Sequence, residues 1–179
     1  IMETEFWEYS KNLYTKVSSS FIWLQDYKGL DVNLLLFCCW CGQLGQSFSP
    51  REIGVFCDKV SSLRQNFILP LRTSRRYLPK IEFSIESQNL KKKILAIELE
   101  GERIEQRILV DSLGFIKKRS PQVNSNAAKV VNANILSYLE HQNVVVDSEV
   151  REALLDIIYS IFPKLDSYNT VKTVGTSII

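Results

Sequence analysis

Apolar positions recur along almost the whole chain at helical spacing. Phe6, Tyr9, Leu13 and Val17 share one face of the segment Glu5 to Val17, with Trp7 and Tyr14 on the adjacent arc, which predicts a first amphipathic helix. Ser18-Ser19-Ser20 offers N-caps for a short second helix through Phe21, Trp23 and Leu24, and Lys28-Gly29 closes it. Asp31 then caps a third helix, Val32 to Leu44, whose stretch Leu34 to Cys41 is apolar on every side. A helix with no polar face has no surface to give to water, so this one is expected at the centre of the fold, with Gly42 and Gly45 marking its end.

Ser49-Pro50-Arg51-Glu52 combines an N-cap, an N1 proline and an N3 glutamate, the signature of a capping box opening a helix toward Leu63; Pro70 is expected to kink or restart the chain. A long helix is predicted from Ser87 to Leu113, stopped by Gly114, and Lys117 to Pro121 reads as a charged linker. Ser125 or Asn126 opens a further helix through Ala128, Val131, Ile135 and Leu139. Asp147 opens the last, where Val150, Ala153, Leu154, Ile157, Ile158, Ile161 and Phe162 form one stripe before Pro163. The expected fold is all-α: a single irregular bundle of about seven or eight helices, with a central apolar helix 32–44 and a long helix 87–113. Its expected organisation is a helical core at 5–116, a linker at 117–124, a C-terminal helical pair at 125–165 packing on or beside the core, and a flexible or partner-binding tail at 166–179.

Composition narrows the function classes. With 179 residues, 45% of them hydrophobic, the chain can bury a real core, which excludes global disorder. Lys and Arg number 22 against 20 Asp and Glu, so any basic surface for nucleic acid or anionic lipid has to be local. Only 7 Gly and 5 Pro argue against a turn-punctuated β-sandwich and against a glycine-rich phosphate loop. The longest dense apolar run falls well short of the about 20 residues that cross a bilayer, and the first residues carry no basic-then-apolar leader, so a cytoplasmic protein without membrane insertion is expected. Cys38, Cys39 and Cys41 crowd one helical turn and read as reduced, buried thiols rather than as metal ligands with Cys57. No metal and no cofactor is expected: the single histidine, His141, lies in no Glu-x-x-His pattern, and no nucleophile elbow, phosphate loop, dinucleotide fingerprint or zinc signature is present.

The long helix carries the densest chemistry. Projected at about 100° per residue, Leu90, Ile94, Ile97, Ile104 and Ile108 fall on one arc, Leu95, Leu99 and Leu113 on a second, and Glu98, Glu102 and Glu105 between them. Carboxylates hemmed by two apolar arcs need partners if both arcs pack. Lys59 to Lys80 holds six basic residues and no acidic one, so Arg72, Arg75 and Arg76 are the expected donors of an ion-pair network. The competing expectation is a partly covered arc with the glutamates at a solvated groove edge.

The residues Phe6-Trp7-x-Tyr9-Ser10, Tyr14, Leu24-Gln25-Asp26, Gly29, Asp31-Val32-Asn33-Leu34-Leu35-Leu36-Phe37 and Trp40 resemble an uncharacterised family of small, all-helical proteobacterial proteins. Pro70-Leu71-Arg72, Arg75-Arg76 and Ile97-Glu98-Leu99-x-x-Glu102-x-x-Glu105-Gln106 are similar to it as well, so the resemblance spans roughly residues 5 to 110. It implies a bacterial, cytoplasmic, helical protein and brings no activity with it.

The function expected is therefore that of a non-catalytic protein-interaction subunit or adaptor of a bacterial cytoplasmic multiprotein assembly, for example a secretion-coupling or ribosome-associated complex. Trp7, Tyr14, Ile157, Ile161 and Phe162 are the candidate contacts for a protein partner. Gln25, Asp26, Asp31, Asn33, Arg72, Arg75, Arg76, Glu98, Glu102 and Glu105 are the candidate buried polar network or pocket, with no catalytic residue assigned. One alternative is nucleic-acid binding through the Arg64 to Lys80 segment with Tyr77 stacking; a second is an enzyme with a pocket lined by Asp26, Glu98 and Glu102.

Overall fold

The computed structural model describes residues 2–80, 84–115 and 126–165. All regular structure among them is helical: α1 (Met2–Lys28), α2 (Val32–Gln43), α3 (Pro50–Leu63), α4 (Leu69–Tyr77), α5 (Ser84–Ser112), α6 (Ala127–His141) and α7 (Ser148–Ile161). The proposed linker at 117–124 and tail at 166–179 lie outside the described residues.

Local chemistry sets most boundaries. Asp31 caps α2 by accepting from the Asn33 N–H, Ser49 and Glu52 form the reciprocal capping box of α3, Asn126 caps α6 and Asp147 caps α7. Gly29 leaves α1 at φ +68°, which a side chain would disfavour.

The helices form fewer separate rods than the seven or eight expected. The two helical stretches expected on either side of Ser18 are both present, joined as one kinked element that runs to Lys28: Val17 between them leaves helical geometry at φ −136°, ψ 37°. Pro70 does not break the chain either. Immediately before it, Arg64–Ile68 widens into a π turn in which the Leu69 N–H reaches the Arg64 carbonyl, and this register absorbs the missing proline donor. α3, the π turn and α4 thus make one continuous rod, leaving six among the described residues. The long helix starts earlier than expected, at Ser84, and ends in a 3₁₀ turn at Leu113–Phe115.

α2 is the axis of the core. Leu34 through Gly42 are all buried along it, and Phe37 touches Phe6, Phe48 and Phe56 with ring centroids 5.6, 6.2 and 4.9 Å away. α6 supplies Val131, Ile135, Tyr138 and Leu139 to the same cluster. α2 ends at Gln43, between Gly42 and Gly45 as expected, and Gly42 in its last turn has a second role. A Cβ there would come 2.6 Å from the Val131 Cα, so glycine is what lets α2 and α6 backbones meet. Asn134 ties the loop after α2, donating to the Cys38 and Gln46 carbonyls at 3.2 and 2.8 Å and accepting from the Phe48 N–H at 2.8 Å. Gly42→Ala is expected to cost about 1–3 kcal/mol through overpacking, read as a lower urea midpoint at unchanged slope.

α7 lies along α1, fixed by Lys28 Nζ on Asp147 at 2.6 Å and the Ser20 hydroxyl on Asp156 at 3.0 Å. Ile157 is wholly buried in that contact, and Ile161 and Phe162 pack half-buried against the core. Ile157 therefore has no surface to offer a partner.

A charged cleft between α1, α2, α4 and α5

The arginine segment and the carboxylates of α5 meet. The π turn rotates α4 so that Arg72, Arg75 and Arg76 point across α5 and the C-terminal end of α1. Arg72 donates through Nε to Glu98 at 2.8 Å, through Nη2 to Glu102 at 2.8 Å and through Nη1 to the Gln25 side-chain oxygen at 2.6 Å. Arg75 grips both oxygens of Glu98, at 2.6 Å from Nε and 3.2 Å from Nη2. Arg76 reaches Asp26 at 2.7 Å in a more exposed pair.

Glu105 stands apart from these arginines. Its Oε2 accepts from the Asn33 side-chain amide at 2.6 Å, and Gln106 donates to Asn33 Oδ1 at 2.8 Å. Its other oxygen, Oε1, is buried without a hydrogen-bond partner among the described residues, and the charge of Asp31 acts on the carboxyl. Asp31 is itself paired with Arg64 Nη1 at 2.7 Å and donates its backbone N–H to the Tyr138 hydroxyl at 2.8 Å. Asn33, Asp31, Arg64 and Tyr138 so join α2, the π turn, α5 and α6 through one buried polar chain.

Electrostatics differ sharply along α5. Burial pushes Glu98 upward, but hydrogen bonds from Arg75 and Arg72 outweigh it and hold that carboxyl below its ordinary range. For Glu102 burial wins over Arg72, aided by the charge of Glu98, and the group is raised. Glu105 is pushed up to about 9, first by burial and then by the negative charge of Asp31. The Arg76 hydrogen bond draws Asp26 down.

These residues surround a cleft of about 500 Å³. Gln25, Asp31, Asn33, Arg72, Arg75, Arg76, Glu98 and Glu102 form its polar wall; Asp26 and Glu105 do not line it but bond to Arg76 and Asn33, which do. Trp7 and Tyr14 line it from α1 with Ser10 and Lys11, Ile22 joins them after the kink, and Leu36, Leu95 and Leu99 complete the apolar side. Two of the five partner candidates thus sit on the cleft, while Ile157 is core and Ile161 and Phe162 pack against it away from the cleft. Ser10, Lys11 and Gln106 are polar cleft residues absent from the candidates named from the sequence, as are the apolar residues that line it beyond Trp7 and Tyr14. Gln106 was visible as the neighbour of Glu105 in the quoted motif, but only packing turns it onto Asn33.

Residues 5–109 match the model of a family described as a protein of unknown function, DUF2390. The chain belongs to that family. No curated protein and no solved structure matches it. Every residue lining the cleft falls within the DUF2390 segment, whereas α6, which fills the core against α2, lies beyond it. Among the described residues no helix is long and apolar enough to cross a membrane, and no three His, Cys, Asp or Glu side chains group to hold a metal ion.

Proposed function

We propose that this protein is a non-catalytic adaptor of a bacterial cytoplasmic assembly, and that it receives a short segment of a protein partner in the cleft between α1, α2, α4 and α5. The observation that carries this reading is the composition of the cleft: about 500 Å³, in the range of ligand sites, with an apolar and aromatic side facing a charged wall whose groups are already bound to one another. Trp7 and Tyr14 are of the residue types that anchor interfaces. Glu98, with both oxygens held by arginine, is fixed in its ionised form and suited to positioning rather than to giving up a proton.

The basic segment favours a protein over a nucleic acid. Arg64, Arg72, Arg75 and Arg76, four of its six basic residues, turn onto Asp31, Glu98, Glu102 and Asp26 and present no continuous row for phosphates.

Affinity purification of the tagged protein, with and without nuclease, tests the reading against a Leu99→Glu variant, which alters a side chain 45% exposed and spares the core. A stoichiometric protein partner that survives nuclease and is lost with Leu99→Glu is the expected result. Nucleic acid alone, or a partner indifferent to the substitution, would overturn it.

A further inference from the structure

Resting on the cleft as the docking site, we infer that the feature it recognises is a free C-terminal carboxylate on an apolar terminal residue of the partner. Charge is the first argument. The lining holds Lys11, Arg72, Arg75 and Arg76 against Asp31, Glu98 and Glu102, and Asp31 is already neutralised from behind by Arg64. Lys11 and Arg76 also have carboxylate partners, Glu8 and Asp26, but in exposed pairs that water screens. With those partners counted the charges balance, but the two exposed pairs are weak, so Lys11 and Arg76 can each exchange a carboxylate of this chain for one brought by a ligand.

Hydrogen-bonding capacity is the second argument. Arg72 spends Nε, Nη1 and Nη2 on Glu98, Gln25 and Glu102. Arg75 uses Nε and Nη2 on Glu98, and its Nη1 makes no hydrogen bond among the described residues. A guanidinium held rigidly by one carboxylate, with a donor left over, is pre-organised to take a second. Arg75 is half-buried, so that bond would be less screened than those at the rim.

The third argument is where the apolar surface lies. Tyr14, Leu95 and Leu99 line the same cleft as Arg75, and all three are more than a third exposed. A ligand matching both needs a carboxylate and an apolar group close together. A chain terminus carries both on one carbon, whereas an Asp or Glu side chain places its charge at the tip and is flanked by polar backbone. A small organic acid shares the carboxylate, but the peptide adds backbone groups that can continue past Lys11 and Arg76, which line the cleft with side chains half exposed.

The test uses the full chain immobilised and two pools of fluorescein-labelled pentapeptides, randomised at the last two positions among Val, Ile, Leu, Met and Phe. One pool ends in a free carboxylate, the other in an amide. The free-acid pool is expected to be retained at least about tenfold better than the amidated pool. That retention should fall in Arg75→Gln, recover in part in Arg75→Lys, and vanish in Leu99→Glu. Circular dichroism of each variant separates loss of binding from loss of fold, and Leu99→Glu guards against instability at Arg75 because its site is exposed.

Equal retention of both pools, abolished by Leu99→Glu, would overturn the carboxylate while leaving the cleft as a docking site. Retention of neither pool, with octanoate shifting cleft resonances in a nuclear magnetic resonance titration, would replace the peptide terminus by a small acid. Retention of neither pool without an octanoate effect, or free-acid binding that survives Arg75→Gln, would also overturn the inference; the Leu99→Glu purification decides the adaptor reading independently.

Discussion

Arg72→Ala is expected to lower the unfolding free energy by about 3 kcal/mol, toward the lower end of what breaking a buried ion pair costs. Arg72 and Glu98 are both buried, with side chains 10% and 3% exposed, so truncation cannot be repaired by bulk water. The lower end applies because Glu98 keeps Arg75. Glu102 loses its arginine and Gln25 its donor at the same time. At about 2–4 °C per kcal/mol for a chain of this size, the melting temperature should fall by roughly 10 °C. Urea unfolding followed by circular dichroism measures the change, and a loss below about 1 kcal/mol would mean that the glutamates behave as a solvated edge. The double variant Arg72→Ala/Glu102→Gln should be more stable than the two single costs added together, because the second change removes the carboxylate that the first leaves unpaired.

Glu105 should make the protein lose stability as pH rises, the opposite of the usual carboxylate. An ordinary glutamate titrates near 4.5, and in the fold this one is pushed up to about 9. Between those values the folded state holds a proton that the unfolded chain has released, so more protons are bound when folded and the unfolding free energy falls with increasing pH. The favourable contribution is fully present below the unfolded value and is lost progressively up to about 9. Each pH unit in that window removes up to about 1.4 kcal/mol. Glu98 and Asp26, both drawn below their ordinary range, act in the other direction and weaken the fold only in stronger acid. Stability should therefore peak in mild acid, near the ordinary glutamate value. Glu105→Gln keeps a neutral group beside Asn33 and Asp31, so it should flatten the fall and be the more stable protein at pH 8, by about 2 kcal/mol or more. Chemical unfolding of both proteins from pH 5 to 9 checks this; parallel curves would show that Glu105 is ionised in the fold.

Both effects come from residues legible in the sequence, Glu105 through the periodicity of α5 and Arg72 through the run of basic residues without an acid, which shows how far the pattern reaches. The wheel of α5 put Glu98, Glu102 and Glu105 between two apolar arcs, and an arginine segment without acids is a natural counterpart. The wheel treats the three carboxylates alike, however, and the fold does not. Arg72 and Arg75 hold Glu98, Arg72 alone reaches Glu102, and Glu105 faces Asn33 and Asp31 across the N-terminus of α2. Which cation reaches which anion depends on the π turn before Pro70, a register shift of one residue without a period of its own.

Helix identity, the caps at Asp31, Ser49 and Asp147, and the central place of α2 were determined by the sequence alone, which left the cap of α6 open between Ser125 and Asn126. They follow from interactions within a few residues and from the absence of any polar face on α2. Tertiary structure alone decided that Gly42 is a contact with Val131, that Asn134 closes the loop after α2, and that Ile157 is core while Trp7 and Tyr14 line a cleft. Those outcomes depend on which helix lies against which, and a one-dimensional pattern records that a face is apolar without recording what covers it. The cleft is the consequence: the two apolar arcs of α5 look equivalent in sequence and both keep exposed members, Leu90, Ile97 and Ile104 on one and Leu95 and Leu99 on the other, but only Leu95 and Leu99 share a cleft with Trp7, Tyr14 and the arginines.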